Sequence, residues 1–222
     1  MAVRQSAITC LVVGPMQTNC YIVCDQSEKK AVIIDPGADA ATIRSALGEL
    51  GCAPVAVINT HGHADHIGAD SAFNVPISIH SLDEQFLVDP EKNLSAFYNF
   101  PLAPIKVSRL LEHQDKVQFG KSSLEVIHTP GHTPGSISLI FRDVIFTGDT
   151  LFSGGIGRTD FPYGDESTLI DSIRKRLLVL DGDMRIHPGH GPASTIGREK
   201  KTNPFLSAFA ENPRPWTGKK AV

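Results

Sequence analysis

No apolar run in the sequence approaches the ~20 residues that a membrane-crossing helix needs, so a helical membrane span is excluded. Low-complexity segments and short-period repeats are missing too, which removes linkers and solenoids from consideration. The opening stretch "MAVRQSAITCLVVG" lacks the long apolar core and small-residue cleavage site of a secretion signal. A cytoplasmic location is therefore expected. Clustered basic charge is also lacking: lysines and arginines are scattered and the formal net charge is −3, which argues against a nucleic-acid or anionic-membrane partner. Small-molecule chemistry is the expectation that remains. Cysteine is scarce, and Cys10, Cys20, Cys24 and Cys52 form no C-x-x-C. Cys20 and Cys24, if on one strand, would stand ~13 Å apart, beyond disulfide reach. All four are expected to be reduced, packed thiols.

What the chain does have is length and apolar content for one sizeable core: 222 residues, 41 % of them hydrophobic. A single domain over 1–210 is expected, followed by a proline-broken tail, "ENPRPWTGKKAV", at 211–222. Short β-branched runs alternate with turn residues in "ITCLVVG", "NCYIVCD", "KAVIIDPG" and "PVAVINT", with a helix between the last two. A helix over 64–74, the strand "PISIH" and a helical "SLDEQFLVD" follow. The second half repeats the habit with "KVQFG", "SSLEVIHTP", "GSISLIF" and "DVIFTGD". Then "DESTLIDSIRKRLLVLDG" places Leu169, Ile170, Ile173, Leu177 and Leu180 on one helical face. A strand "MRIHPGHG" and a helix near "STIGREKK" close the pattern. Two strand-rich halves, each ending in helices, imply two sheets packed face to face with helices outside.

The densest chemical signal is "THGHADH" at 60–66. His61 and His63 stand two apart at a strand end, so the period of two sends both imidazoles to one side. Asp65 and His66 fall in the first turn of the next helix and can aim at a neighbouring point. Three more ligand-type residues also stand at strand ends beside flexible residues: His132 in "TPGHTPGS", Asp149 in "IFTGDT" and His190 in "IHPGHG". Alone, each reads as a solvated loop residue or a turn. Together they supply five histidines and two carboxylates, enough for two metal ions with open positions left over. Nitrogen and oxygen donors without thiolate suit zinc, with iron or manganese as alternatives.

In this order, with "DPGAD" upstream, these residues resemble the metallo-β-lactamase superfamily over nearly the whole chain. The resemblance implies an α+β fold, an αββα sandwich of two mixed β-sheets flanked by helices. It implies that His61, His63 and His132 hold one divalent ion, Asp65, His66 and His190 a second, and that Asp149 bridges. Asp65 and Asp149 would thereby be catalytic, and Asp35 would be a buried aspartate orienting the ligand loop; read alone, it is equally a turn residue before Pro36.

Within the superfamily, "GDTLFSGGIGRTDFPYGD", "HPGHGP" and "TNPFL" are similar to the glyoxalase II group, hydrolases of hydroxyacylglutathione thioesters. That implies a small-molecule thioester substrate such as S-lactoylglutathione, attacked by hydroxide generated between two metals, with Arg158 contacting the glutathione anion. A salt bridge from Arg158 to Asp160 or Asp165 is the competing reading. Asp149 and the missing signal point away from the secreted zinc β-lactamases. A persulfide dioxygenase using one iron on His61, His132 and Asp149 is the alternative enzyme, and a metal-binding or scaffold protein without turnover the alternative of another class. Near the mouth, Tyr163, Phe161 and Phe152 are candidates to wall a pocket, with core packing the expected role of the two phenylalanines.

Overall fold

Alternation along the second strand shows how the sheets are built. Its side chains are buried throughout: Tyr21 and Val23 join one apolar cluster, Cys20, Ile22 and Cys24 another. A strand buried on both faces belongs at the middle of a layered structure. The computed structural model describes residues 6–206. The tail expected over 211–222 and the last residues of the expected domain lie outside the described residues.

The first sheet runs in the order β1 (Ser6–Val13), β2 (Thr18–Asp25), β3 (Lys30–Ile34), β4 (Ala53–Ile58), β5 (Ile77–His80) and β6 (Arg109–Leu111). β1 to β3 are antiparallel and β3 to β6 parallel, so the sheet is mixed. Helix α1 (Ala40–Leu50) connects β3 to β4 and ends where Gly51 takes φ 62°, a left-handed cap that suits glycine. The second sheet begins with β7 (Lys116–Phe119), β8 (Ser122–His128), β9 (Ile137–Phe141) and β10 (Val144–Gly148). A two-stranded ribbon, β11 (Leu151–Phe152) and β12 (Gly155–Ile156), leaves it, and β13 (Arg185–Pro188) and β14 (Ser194–Thr195) complete the order β14-β13-β10-β9-β8-β7. The two mixed sheets with flanking helices are the fold the sequence implied.

Between the sheets lie Val23, Val32, Ile34, Val126, Leu139 and Phe146, all inaccessible to solvent. Ile43 and Leu47 of α1 cover the outer face of the first sheet through Cys20, Ile22 and Ile33. Leu169 and Ile170, on a helix over Glu166–Ser172, and Ile173 and Leu177, in a wider π turn over Ile173–Leu177, cover the second through Ile145 and Ile186. Leu180 packs there only partly buried. The expected 64–74 helix is a short helix, Ala64–Ile67, followed by a 3₁₀ turn, Asp70–Phe73.

The cysteines depart from expectation. Cys24 and Cys52 are joined as a disulfide across a Cα separation of 6.4 Å, while Cys10 and Cys20 are free. Spacing within one strand did exclude Cys20–Cys24. It said nothing of Cys52, which the α1 crossover returns to the same outer layer as Cys24.

At the end remote from the ligand loops, Asp25 ties the two sheets. Its buried carboxylate accepts from Ser27 N, Ser27 Oγ and Glu28 N in its own turn, and from Lys121 N (2.7 Å) in the β7–β8 turn. Burial pushes this carboxyl up, but the four donors outweigh it and hold the pKa below the ordinary range. Asp25→Asn is expected to cost about 1–3 kcal/mol at pH 7. A depressed carboxyl stabilises above its unfolded pKa of ~3.9 and loses that contribution as pH falls toward the folded value, so the gap between parent and variant should shrink below about pH 4. Denaturant melts at pH 7 and 3.5 check this; a gap independent of pH would show that the charge is not what matters.

Candidate metal centre

Four strand ends open at one edge of the sandwich, and each hands over to a loop carrying ligand-type side chains. β4 leads to His61 and His63, β8 to His132, β10 to Asp149 and β13 to His190. β10 and β13 are parallel with Gly148 beside Pro188, which sets Asp149 and His190 side by side. Backbone bonds close the sheets together here, from Asn19 N to Gly189 O (2.7 Å) and from Ile137 N to Thr60 O (2.8 Å). Of nine histidines in the sequence, five meet at this edge.

Their inward atoms form three overlapping groups: His61, His63 and His132; His61, His66 and Asp149; Asp65, His66 and His190, with the ligand atoms of each group within 4.8 Å of one another. Asp149 lies between, with Oδ1 3.4 Å from His66 Nε2 and Oδ2 3.7 Å from His132 Nε2 and 3.6 Å from His190 Nε2. Asp65 Oδ2 lies 3.2 Å from His190 Nε2 and accepts from Thr18 Oγ1 at 3.1 Å.

Hydrogen bonds behind the cluster decide which ring nitrogens face in bare. His132 Nδ1 meets the Arg158 carbonyl at 2.7 Å and can only donate to it, which leaves Nε2 of the neutral ring as a lone pair. His66 Nδ1 donates to Asp35 Oδ2 at 3.0 Å, which turns its Nε2 inward. Thr60 gives its hydroxyl proton to Asp35, so its oxygen is left to accept from His61 Nδ1 at 3.2 Å. His132 Nε2 then faces His63 Nδ1 at 2.9 Å and His61 Nε2 at 3.2 Å, and His66 Nε2 faces His190 Nε2 at 3.3 Å. Buried His63 Nε2 and Asp149 Oδ1 have no hydrogen-bond partner. Ligand-type nitrogen and oxygen atoms that converge without partners in a largely buried cluster are what a cation satisfies. The donor set therefore fits divalent metal, without any thiolate.

Charge within the cluster has the same pattern. Burial, then the neighbouring imidazoles, hold His61 and His63 well below the usual histidine range. Burial lowers His66 too, but Asp65, Asp149 and Asp35 outweigh it and raise this histidine to about 10. The His61 and His63 rings are thus held neutral, while the carboxylate-rich half attracts positive charge.

Asp35 orients rather than merely turns the chain. It is buried with φ 52°, a strained left-handed position for a residue with a Cβ. From there it binds Thr60 N (2.7 Å), the Thr60 hydroxyl and His66. Asp83 was not foreseen. Fully buried, it accepts from Gly62 N (3.0 Å), Thr133 Oγ1 (2.7 Å) and Gly135 N (2.6 Å), lashing the His61–His63 loop to the His132 loop. Gly189 has no room for a Cβ, which would collide with Asp149 and His66.

Above the cluster is a cavity of about 470 Å³ that includes Phe152 and Phe161 among its walls. Both were expected in the core, and a packing site open to the cavity displaces that expectation. Tyr163 stands back, more than half exposed and edge-on to Phe86. Arg158 reaches the cavity, but its guanidinium forks onto Asp160 at 2.9 and 2.8 Å and lies over the Phe161 ring. In this state it makes the salt bridge that was the competing reading.

Two mixed sheets with a histidine-aspartate cluster suited to metal at one edge define a class of metal-binding α+β proteins. The chain belongs to the metallo-beta-lactamase superfamily, whose family model matches residues 13–190. It is 40 % identical over 209 residues to the hydroxyacylglutathione hydrolase GloC of Haemophilus influenzae, covering 90 % of this chain and 98 % of the relative. Among solved structures it is similar to the BLEG-1 B3 metallo-beta-lactamase, with TM-score 0.85, 37 % identity, and 90 % of this chain and 100 % of that one covered. It is also similar to TTHA1623 in a di-iron-bound form, with TM-score 0.78, 37 % identity and coverage of 89 % and 100 %.

Asp83→Ala strips the shared acceptor from two ligand loops, so metal affinity is expected to fall about 10- to 100-fold. Competition with a coloured zinc chelator measures this. Unchanged affinity in a folded variant would mean that the loops hold their places without Asp83.

Proposed function

We propose that this chain is a dinuclear metal-dependent hydrolase of thioesters, with S-lactoylglutathione as the reference substrate. The observation that carries the reading is Asp149, whose two oxygens face histidines of both halves of the cluster. In this reading His61, His63 and His132 hold one ion, Asp65, His66 and His190 the other, and Asp149 joins them. Zinc suits the donors, and iron is the alternative that the di-iron form of TTHA1623 supports. The name of GloC supports the thioester, and the formal net charge of −3 with scattered lysines and arginines supports a small-molecule partner over nucleic acid.

When bound, two divalent cations supply hydroxide at neutral pH and electrostatic stabilisation for an anionic transition state. The protein's part is to hold and orient. Thr18 fixes Asp65, Asp35 fixes His66, and the Arg158 carbonyl fixes His132. Apolar walls around the cluster keep bulk water from competing for the substrate carbonyl. A thiolate leaves without a strong acid, because a thiol has a pKa near ~8.5. No nucleophilic side chain is required.

The test compares zinc- and iron-loaded protein on S-lactoylglutathione, on a chromogenic β-lactam because of the likeness to BLEG-1, and in oxygen uptake with glutathione persulfide. Thioester cleavage should dominate, and Asp149→Asn should lower it by more than about a hundredfold, since it removes the charge between the ions. Oxygen uptake without thioester cleavage would favour the mononuclear dioxygenase. Activity of the variant within about tenfold of the parent would remove Asp149 from the centre.

A further inference from the structure

We propose that the cavity over the metal centre is a subsite for an uncharged, apolar arm of the substrate. Its preferred thioesters would then carry a hydrophobic group in place of the charged glutathione moiety. This rests on the thioester reading and narrows its substrate class.

The walls carry the inference. Met16, Leu94, Tyr98, Phe100, Phe152 and Phe161 close over His63, His132, Asp149 and His190 in a cavity of about 470 Å³. Met16 and Tyr98 remain 42 % and 41 % exposed at its rim, apolar surface left open where an arm would enter. Met16 sits on the turn between β1 and β2, and its unbranched side chain can adapt to different shapes. A glutathione conjugate carries two carboxylates and an ammonium, and each charge taken from water needs a partner. Apart from the histidines, Arg158 is the one cation among the described lining residues. Its fork is occupied by Asp160, and its flat face is on Phe161. The net charge that Arg158 and Asp160 offer together is zero. An aryl or branched alkyl arm, by contrast, would bury against these walls and gain about tenfold or more in affinity.

Titration calorimetry on the metal-loaded full chain compares two unreactive thioethers, neutral N-acetyl-S-benzylcysteamine and charged S-methylglutathione. The neutral probe is expected to bind at least about tenfold tighter. The paired substitution Met16→Gln with Tyr98→Ser, at exposed rim positions, should cancel most of that preference. Equal or tighter binding of S-methylglutathione would overturn the subsite, as would a preference untouched by the substitutions. Kinetics separate the two readings. A phenylacetyl thioester of N-acetylcysteamine, apolar on the acyl side, and the S-benzyl thioester of lactate, apolar on the thiol side, are compared with S-lactoylglutathione. One of the first two should show the highest kcat/KM. Fastest turnover of S-lactoylglutathione would overturn the subsite and keep the hydrolase. Tight binding of the neutral probe without cleavage of any thioester would overturn the hydrolase and keep the subsite.

Discussion

Five imidazoles and two carboxylates crowded into one largely buried cluster are the constraint on which this edge of the molecule depends. His61 and His132 face each other at 3.2 Å, His66 and His190 at 3.3 Å, and Asp149 stands between. Left to relax, such groups would rotate toward solvent. They are prevented by bonds on their far sides: Asp35 on His66, the Arg158 carbonyl on His132, Thr60 on His61. Those anchors in turn hang on strand ends whose positions the inter-sheet core fixes. Ligands held in position by rigid surroundings give a metal site its affinity, because the cation meets them already in place.

The two buried carboxylates behind the cluster divide this task. Asp35 joins the end of β3 to the loop after β4, both within the first sheet. Asp83 joins that loop to the His132 loop, which belongs to the second. One aligns ligands locally, and the other keeps the halves of the site in register across the sandwich. In front of the cluster the chemistry changes from polar to apolar within one side-chain length, since Phe161 approaches His63 with ring centroids 5.9 Å apart. Arg158 belongs to both layers, since it lines the cavity while its carbonyl anchors His132.

Legibility in the sequence followed the range of the interaction. His61, His63, Asp65 and His66 could be read because they crowd into six consecutive positions, and the strands could be read because burial alternates or runs continuously along them. Leu169, Ile170, Ile173 and Leu177 announced their face through helical spacing, even though the helix widens midway. Asp83 was hidden in a polar segment, its partners lying 21, 50 and 52 residues away. The same distance effect concealed the Cys24–Cys52 pair, 28 residues apart and brought together only once β3 and the α1 crossover are folded. β6, β11 and β12, of three, two and two residues, are too short to carry a period. Phe152 and Phe161 misled because apolarity alone does not tell a core from a cavity wall.

The dinuclear reading is tested most directly by locating the metals. Crystals of the loaded protein, measured with anomalous scattering at the absorption edge of the bound element, should show two peaks per chain. One is expected among His61, His63 and His132, the other among Asp65, His66 and His190, with Asp149 between them. A single peak held by His61, His132 and Asp149, with His66 and His190 bare under saturating metal, would contradict it.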